Sequence, residues 1–65
     1  MKKMMRIELL DGKILEAIKV KAEGDWLIMS GVEVYNGDQY EGFHKVYIVP
    51  STQVLRAYTK TKERR

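Results

Sequence analysis

The chain is 65 residues long, 45% apolar and 32% charged, with a formal net charge of +3 and no cysteine. A chain of this size buries only about 60% of the surface its unfolded form exposes, which disfavours a two-lobed enzyme around an enclosed cleft. The missing cysteine excludes disulfide scaffolds, Cys-based zinc ribbons and thiol nucleophiles.

Lys2, Lys3 and Arg6 charge the start of the chain, but no apolar stretch of useful length follows them, so no secretory signal is read. No apolar run reaches the ~20 residues of a transmembrane helix; Val46, Tyr47, Ile48 and Val49 form one of the longest. A cytoplasmic protein that does not enter a membrane is expected. Met5, Arg6, Ile7, Glu8 and Leu9 alternate apolar with charged, the period of a half-buried strand. Asp11-Gly12 then reads as a two-residue hairpin turn.

Residues 13–21 return as a second strand. Leu15 and Ala17 share one face, Ile18 and Val20 the other, and a bend near Ala17-Ile18 would turn both pairs inward. A helix over residues 12–23 is the competing reading, with Asp11 as its cap, Ile14, Leu15, Ile18 and Ala22 on one face, and Gly24 as its stop. The hairpin turn and the alternating Ile18-Lys19-Val20-Lys21 favour the strand.

Residues 26–35 read as one strand kinked at Gly31. An unbroken strand would set Trp26, Ile28, Val32 and Val34 on one face and Leu27 and Met29 on the other; a turn at Ser30-Gly31 is the alternative. Residues 36–42 form a polar loop. Residues 43–49 are the strongest strand, rich in aromatic and β-branched side chains, and Pro50 ends it. Residues 50–53 fit a one-turn 3-10 break, and residues 54–58 a last short strand. The expected fold is all-β: a single domain over residues 1–65, built as a five-stranded, strongly bent small barrel with short basic ends at 1–5 and 59–65. Phe43 or Tyr47 is expected in its core, and Trp26 and Tyr47 are candidates to close its ends.

This order resembles the small β-barrels of Sm-like and SH3-like type. Ile7-Glu8-Leu9-Leu10-Asp11-Gly12-Lys13 is similar to the Sm-like opening, Asp25 precedes an aliphatic third strand, and Tyr47-Ile48-Val49-Pro50-Ser51 followed by Val54 is similar to the closing strand, turn and strand of both groups. The resemblance implies the barrel and ring-type assembly. It transfers no RNA site. The Sm-like Asn has no counterpart at Leu27 or Ile28, Val49-Pro50 stands where Arg-Gly is usual, and five residues before the first strand cannot form the usual helix.

Charge is segregated. Lys2, Lys3 and Arg6 make one end basic; Arg56, Lys60, Lys62, Arg64 and Arg65 against Glu63 make the other basic, and residues 7–55 are net acidic. Basic arms on a compact body suit phosphate backbones, and loop aromatics beside them suit base stacking. The candidate nucleic-acid-binding residues are therefore Lys2, Lys3, Arg6, Tyr35, Tyr40, Lys45, Lys60, Lys62, Arg64 and Arg65, for DNA or RNA. No catalytic constellation is read. His44 is the single histidine and has no ligand partner at metal spacing, and the glycines match no phosphate loop, so no enzyme activity, metal or cofactor is expected. The rival reading is a protein-interaction or self-associating module, since so short a chain gains from extra buried area.

Overall fold

The computed structural model describes residues 2–62, with side chains described from residue 3 to residue 59. Five strands run in chain order: β1 (Lys2–Leu9), β2 (Lys13–Glu23), β3 (Trp26–Asn36), β4 (Gln39–Pro50) and β5 (Val54–Lys62), with a 3-10 turn, Ser51–Gln53, before the last. They form one antiparallel sheet in the order β4-β3-β2-β1-β5. All of residues 13–23 is strand, so the helical alternative for this segment is set aside.

Short connections explain the meander. The β1–β2 link spans Leu10, Asp11 and Gly12, one residue longer than the expected turn, and Gly12 takes a positive φ of 96° there. Gly12 N–H donates to Leu9 O at 3.1 Å, and Lys13 N–H to Asp11 Oδ1 at 3.1 Å, so the Asp side chain completes the turn. The expected loop over 36–42 is much shorter, because Asn36 and Gln39 still pair with each other and leave only Gly37 and Asp38 as the turn.

The core lies on one face of the sheet: Ile7, Leu9, Leu15, Ala17, Met29, Val32, Val34 and Val49 are buried, with Met5, Val20, Leu27, Tyr47 and Val54 packed against them. The spacing of these residues records a bend. In β2 the inward positions step from Ala17 to Val20, and in β3 from Met29 to Val32, three residues where an unbroken strand steps two. The paired residues between them, Lys19 and Ser30, are exposed. Gly31 permits the bend with a φ of 61°, and a Cβ on it would stand 2.9 Å from Ile18 Cδ1. The kink at Gly31 is thus present.

Its consequences differ from the sequence expectation in two ways. Ile18 does not turn inward but lies over Gly31 at 58% exposure, and Trp26 and Ile28 leave the Val32–Val34 face, which Leu27 and Met29 share instead. The bend reverses the alternation halfway along both strands. Phe43 and Trp26 are also exposed, at 55% and 51%, and only Tyr47 of the expected aromatics packs on the core.

The sheet does not close into a barrel. β4 and β5 are its two outer strands, and each is paired along one side only. A hollow of about 350 Å³ lies among the β1–β2 turn, the 3-10 turn and β4, lined by Leu9, Asp11, Lys13, Tyr47, Val49 and Gln53. Single backbone bonds tie the 3-10 turn in place, from Leu10 N–H to Gln53 O and from Ser51 N–H to Asp25 O, both 2.8 Å. β5 pairs along its length with β1, and among the described residues no ladder joins β5 to β4. Among the described residues no helix is long and apolar enough to cross a membrane.

Candidate nucleic-acid interface

The pairing of β1 with β5 joins the two basic ends of the chain. Lys2 stands opposite Lys62, Lys3 opposite Thr61, Met4 opposite Lys60 and Arg6 opposite Tyr58. Both ends are strand rather than loose tails, since β1 begins at Lys2 and β5 runs to Lys62. β2 joins β1 only from Met5 onward, so residues 2–4 and 60–62 form a ribbon of two strands beyond the body of the sheet. Arg64 and Arg65 lie outside the described residues.

At the base of the ribbon the cations are held by acids. Arg6 Nη1 lies 3.6 Å from Glu16 Oε2, and Arg56 Nε lies 3.4 Å from Glu8 Oε1. Tyr58 donates its hydroxyl proton to Glu8 Oε2 at 2.9 Å. That bond to a carboxylate, helped by desolvation and the nearby negative charge, holds the Tyr58 phenol above its ordinary pKa. Glu16 is buried, an unusual place for a carboxylate unless it is paired. Arg6 is therefore mainly a strut of the sheet, and the lysines of the ribbon carry the positive charge beyond it.

The tyrosines are elsewhere. Tyr35 and Tyr40 face each other across the β3–β4 hairpin with ring centroids 5.3 Å apart and planes tilted by 60°. Tyr40 donates its hydroxyl to Glu33, whose carboxylate raises the Tyr40 pKa through that bond, with desolvation and the charge of Glu33 adding to it. Through the ladders, Tyr35 is level with Ile14, Ile14 with Glu8 and Glu8 with Arg56. The Lys2–Lys62 pair lies six positions further along β1, roughly 20 Å at ~3.3 Å per residue.

The structure thus brings Lys2, Lys3, Lys60 and Lys62 together and leaves Tyr35 and Tyr40 apart from them. Lys45 is exposed on β4, three strands from β1. His44 packs edge-on to Tyr47, with centroids 5.2 Å apart. Among the described residues no group of three or more His, Asp or Glu is arranged to hold a metal.

Comparison with protein-family models, with curated proteins and with solved structures finds no match. The site is therefore read from its own chemistry.

Arg56, counted in the basic end, and Tyr58 are not among the candidate contacts read from the sequence, yet both lie beside the ribbon. The alternation Arg56, Tyr58, Lys60, Lys62 was the available signal, because a period of two puts them on one side of a strand. A second surface, of the kind the rival interaction reading calls for, lies on and beside β4. Tyr40, Phe43, Val46 and Ile48 are exposed along β4, and Trp26, Ile28 and Ile48 line a shallow apolar hollow of about 330 Å³ with Glu23 at its rim.

Proposed function

We propose that this chain is a non-enzymatic, cytoplasmic nucleic-acid-binding module that grips phosphates with the β1–β5 ribbon. The observation that carries the reading is the Lys2–Lys62 register, which makes one cationic element from two basic ends separated by the whole length of the sequence. Each lysine that neutralises a phosphate releases counterions, so affinity falls with salt. Four ribbon lysines predict a slope of log affinity against log salt of about −3 to −4 on a DNA duplex. Tyr35, Tyr40 and Lys45 are dropped from the contact set, because the register sets them on other parts of the sheet.

Fluorescence anisotropy over a salt series tests this. Replacing Lys2, Lys3, Lys60 and Lys62 by Gln is expected to flatten the slope and weaken binding to all sequences alike. Absence of binding to any DNA or RNA at about 50 mM salt removes the reading.

A second reading rests on β4. Its outer side is unpaired over Gln39–Pro50, and Tyr40, Phe43, Val46 and Ile48 are exposed on it, whereas edge strands are usually blunted by charge. Self-association along this strand covers that surface with a second copy of the chain. It is tested by sedimentation over a concentration series: a single monomeric mass throughout rules it out. The two readings use opposite edges of the sheet and are compatible. The Sm-like and SH3-like resemblance stands beside them as a proposal about ancestry.

A further inference from the structure

We infer that the ligand of the β1–β5 ribbon is duplex DNA, entered through its major groove. This rests on the nucleic-acid reading and narrows it.

Beyond Met5 only β1 and β5 remain, paired as Lys2–Lys62, Lys3–Thr61 and Met4–Lys60, so the basic end is two strands wide. Three residues at ~3.3 Å each reach about 10 Å past the body. The major groove of B-form DNA is about 12 Å wide and about 8.5 Å deep and admits a two-stranded ribbon. The major groove of an RNA duplex is deep and too narrow for side chains to read.

Both strands of the ribbon carry charge: Lys2 and Lys3 belong to β1, and Lys60 and Lys62 to β5. A ribbon lying in a groove has a phosphate strand along each of its two edges, and each strand of this ribbon brings two lysines to meet it.

A single strand is held by successive aromatic platforms along a basic track. Tyr58 is the one aromatic on β5, its hydroxyl tied to Glu8 at the base, and Tyr35 and Tyr40 pack against each other at a tilt at the far end of the strands. A lone ring offers no such series.

The experiment uses the full chain and three labelled probes of one sequence, each about two helical turns long: the DNA duplex, the RNA duplex and the DNA single strand. The DNA duplex is expected to bind at least about tenfold more tightly than either other probe. Netropsin, which fills the minor groove, is expected to leave that binding unchanged. A duplex carrying glucosylated hydroxymethylcytosine, whose major groove is filled by sugar, is expected to lose it. Equal or tighter binding to the RNA duplex or the single strand overturns the inference while the nucleic-acid reading stands. Displacement by netropsin, or undiminished binding to the glucosylated duplex, also overturns it. Failure to bind all three probes removes the nucleic-acid reading itself, and the inference with it.

Discussion

The two outer strands of this sheet meet water differently. β5 lies against β1 and carries Arg56, Lys60 and Lys62; β4 lies against β3 and exposes Tyr40, Phe43, Val46 and Ile48. Both have unpaired backbone groups along one side. Lysines on an edge oppose the addition of another strand and attract phosphate, whereas uncharged apolar side chains do nothing to keep a strand away. One sheet thus has one edge richer in cations, with Leu55 and Tyr58 also exposed on it, and one richer in exposed apolar and aromatic side chains, with Glu41 and Lys45 among them.

The largest effect expected is one that breaks both edges together. Leu15 is fully buried between β1 and β3, and Leu15→Ala should cost about 2–5 kcal/mol. That is a large share of the ~5–15 kcal/mol that holds a domain folded. Urea denaturation should show the loss, and DNA binding and any self-association should disappear at the same denaturant concentration.

Next, Lys2, Lys3, Lys60 and Lys62 changed together to Gln should lower the magnitude of the salt slope by about one per lysine. Stability should change little, because surface substitutions usually stay within ~0.5 kcal/mol. A variant that loses stability instead would show that the ribbon lysines are structural. Gly31→Ala separates the bend from the edges. It puts a side chain at a φ of 61° and a Cβ 2.9 Å from Ile18 Cδ1, at roughly 1–2 kcal/mol for the left-handed backbone. Its cost should appear in thermal unfolding, with the salt slope retained.

Ile48→Lys puts a charge on the apolar edge. Sedimentation should show the mass falling to that of a monomer wherever the parent chain self-associates, and DNA affinity should hold. The smallest effect concerns the tyrosines. Tyr40 and Tyr58 are held above the ordinary phenol value of 10.0 because their hydroxyls donate hydrogen bonds to the carboxylates of Glu33 and Glu8. The folded state therefore keeps these protons where the unfolded state releases them. Their contribution to stability is complete below pH 10 and is lost as pH rises past it. Phenolate absorbance should show two late-ionising tyrosines, and Glu33→Gln should return one of them toward the ordinary value.

Much of the fold is legible in local chemistry. Asp11-Gly12 marks a turn because glycine accepts positive φ and aspartate closes on the following backbone N–H. Pro50 ends a strand because it has no proton to give a ladder. Met5, Ile7 and Leu9 announce their inward face by simple alternation. The inward set of β2 and β3 is not legible past the bend, because a three-residue step reverses the alternation and nothing local fixes how far each strand turns there. For that reason Ile18, expected inward, lies outside, and the grouping of Trp26 and Ile28 with Val32 and Val34 that an unbroken strand would give does not hold. The candidate site was legible only in part. Basic residues at both ends are plain in the sequence, but their mutual distance is a property of the ladder.

By itself, then, the amino-acid order determined the strands, the turns between them, the kink at Gly31 and the polarity of each end. All of these depend on neighbours a few residues apart, where the stereochemistry of glycine and proline and a period of two suffice. Only the tertiary structure decided that β5 lies along β1, that Lys2 meets Lys62, and that the sheet stays open with an apolar strand at its other margin. Those outcomes depend on which distant strands compete for the same backbone groups. β1 pairs with β2 on one side and β5 on the other, while the outer sides of β4 and β5 do not pair with each other, and no feature a few residues long specifies that outcome.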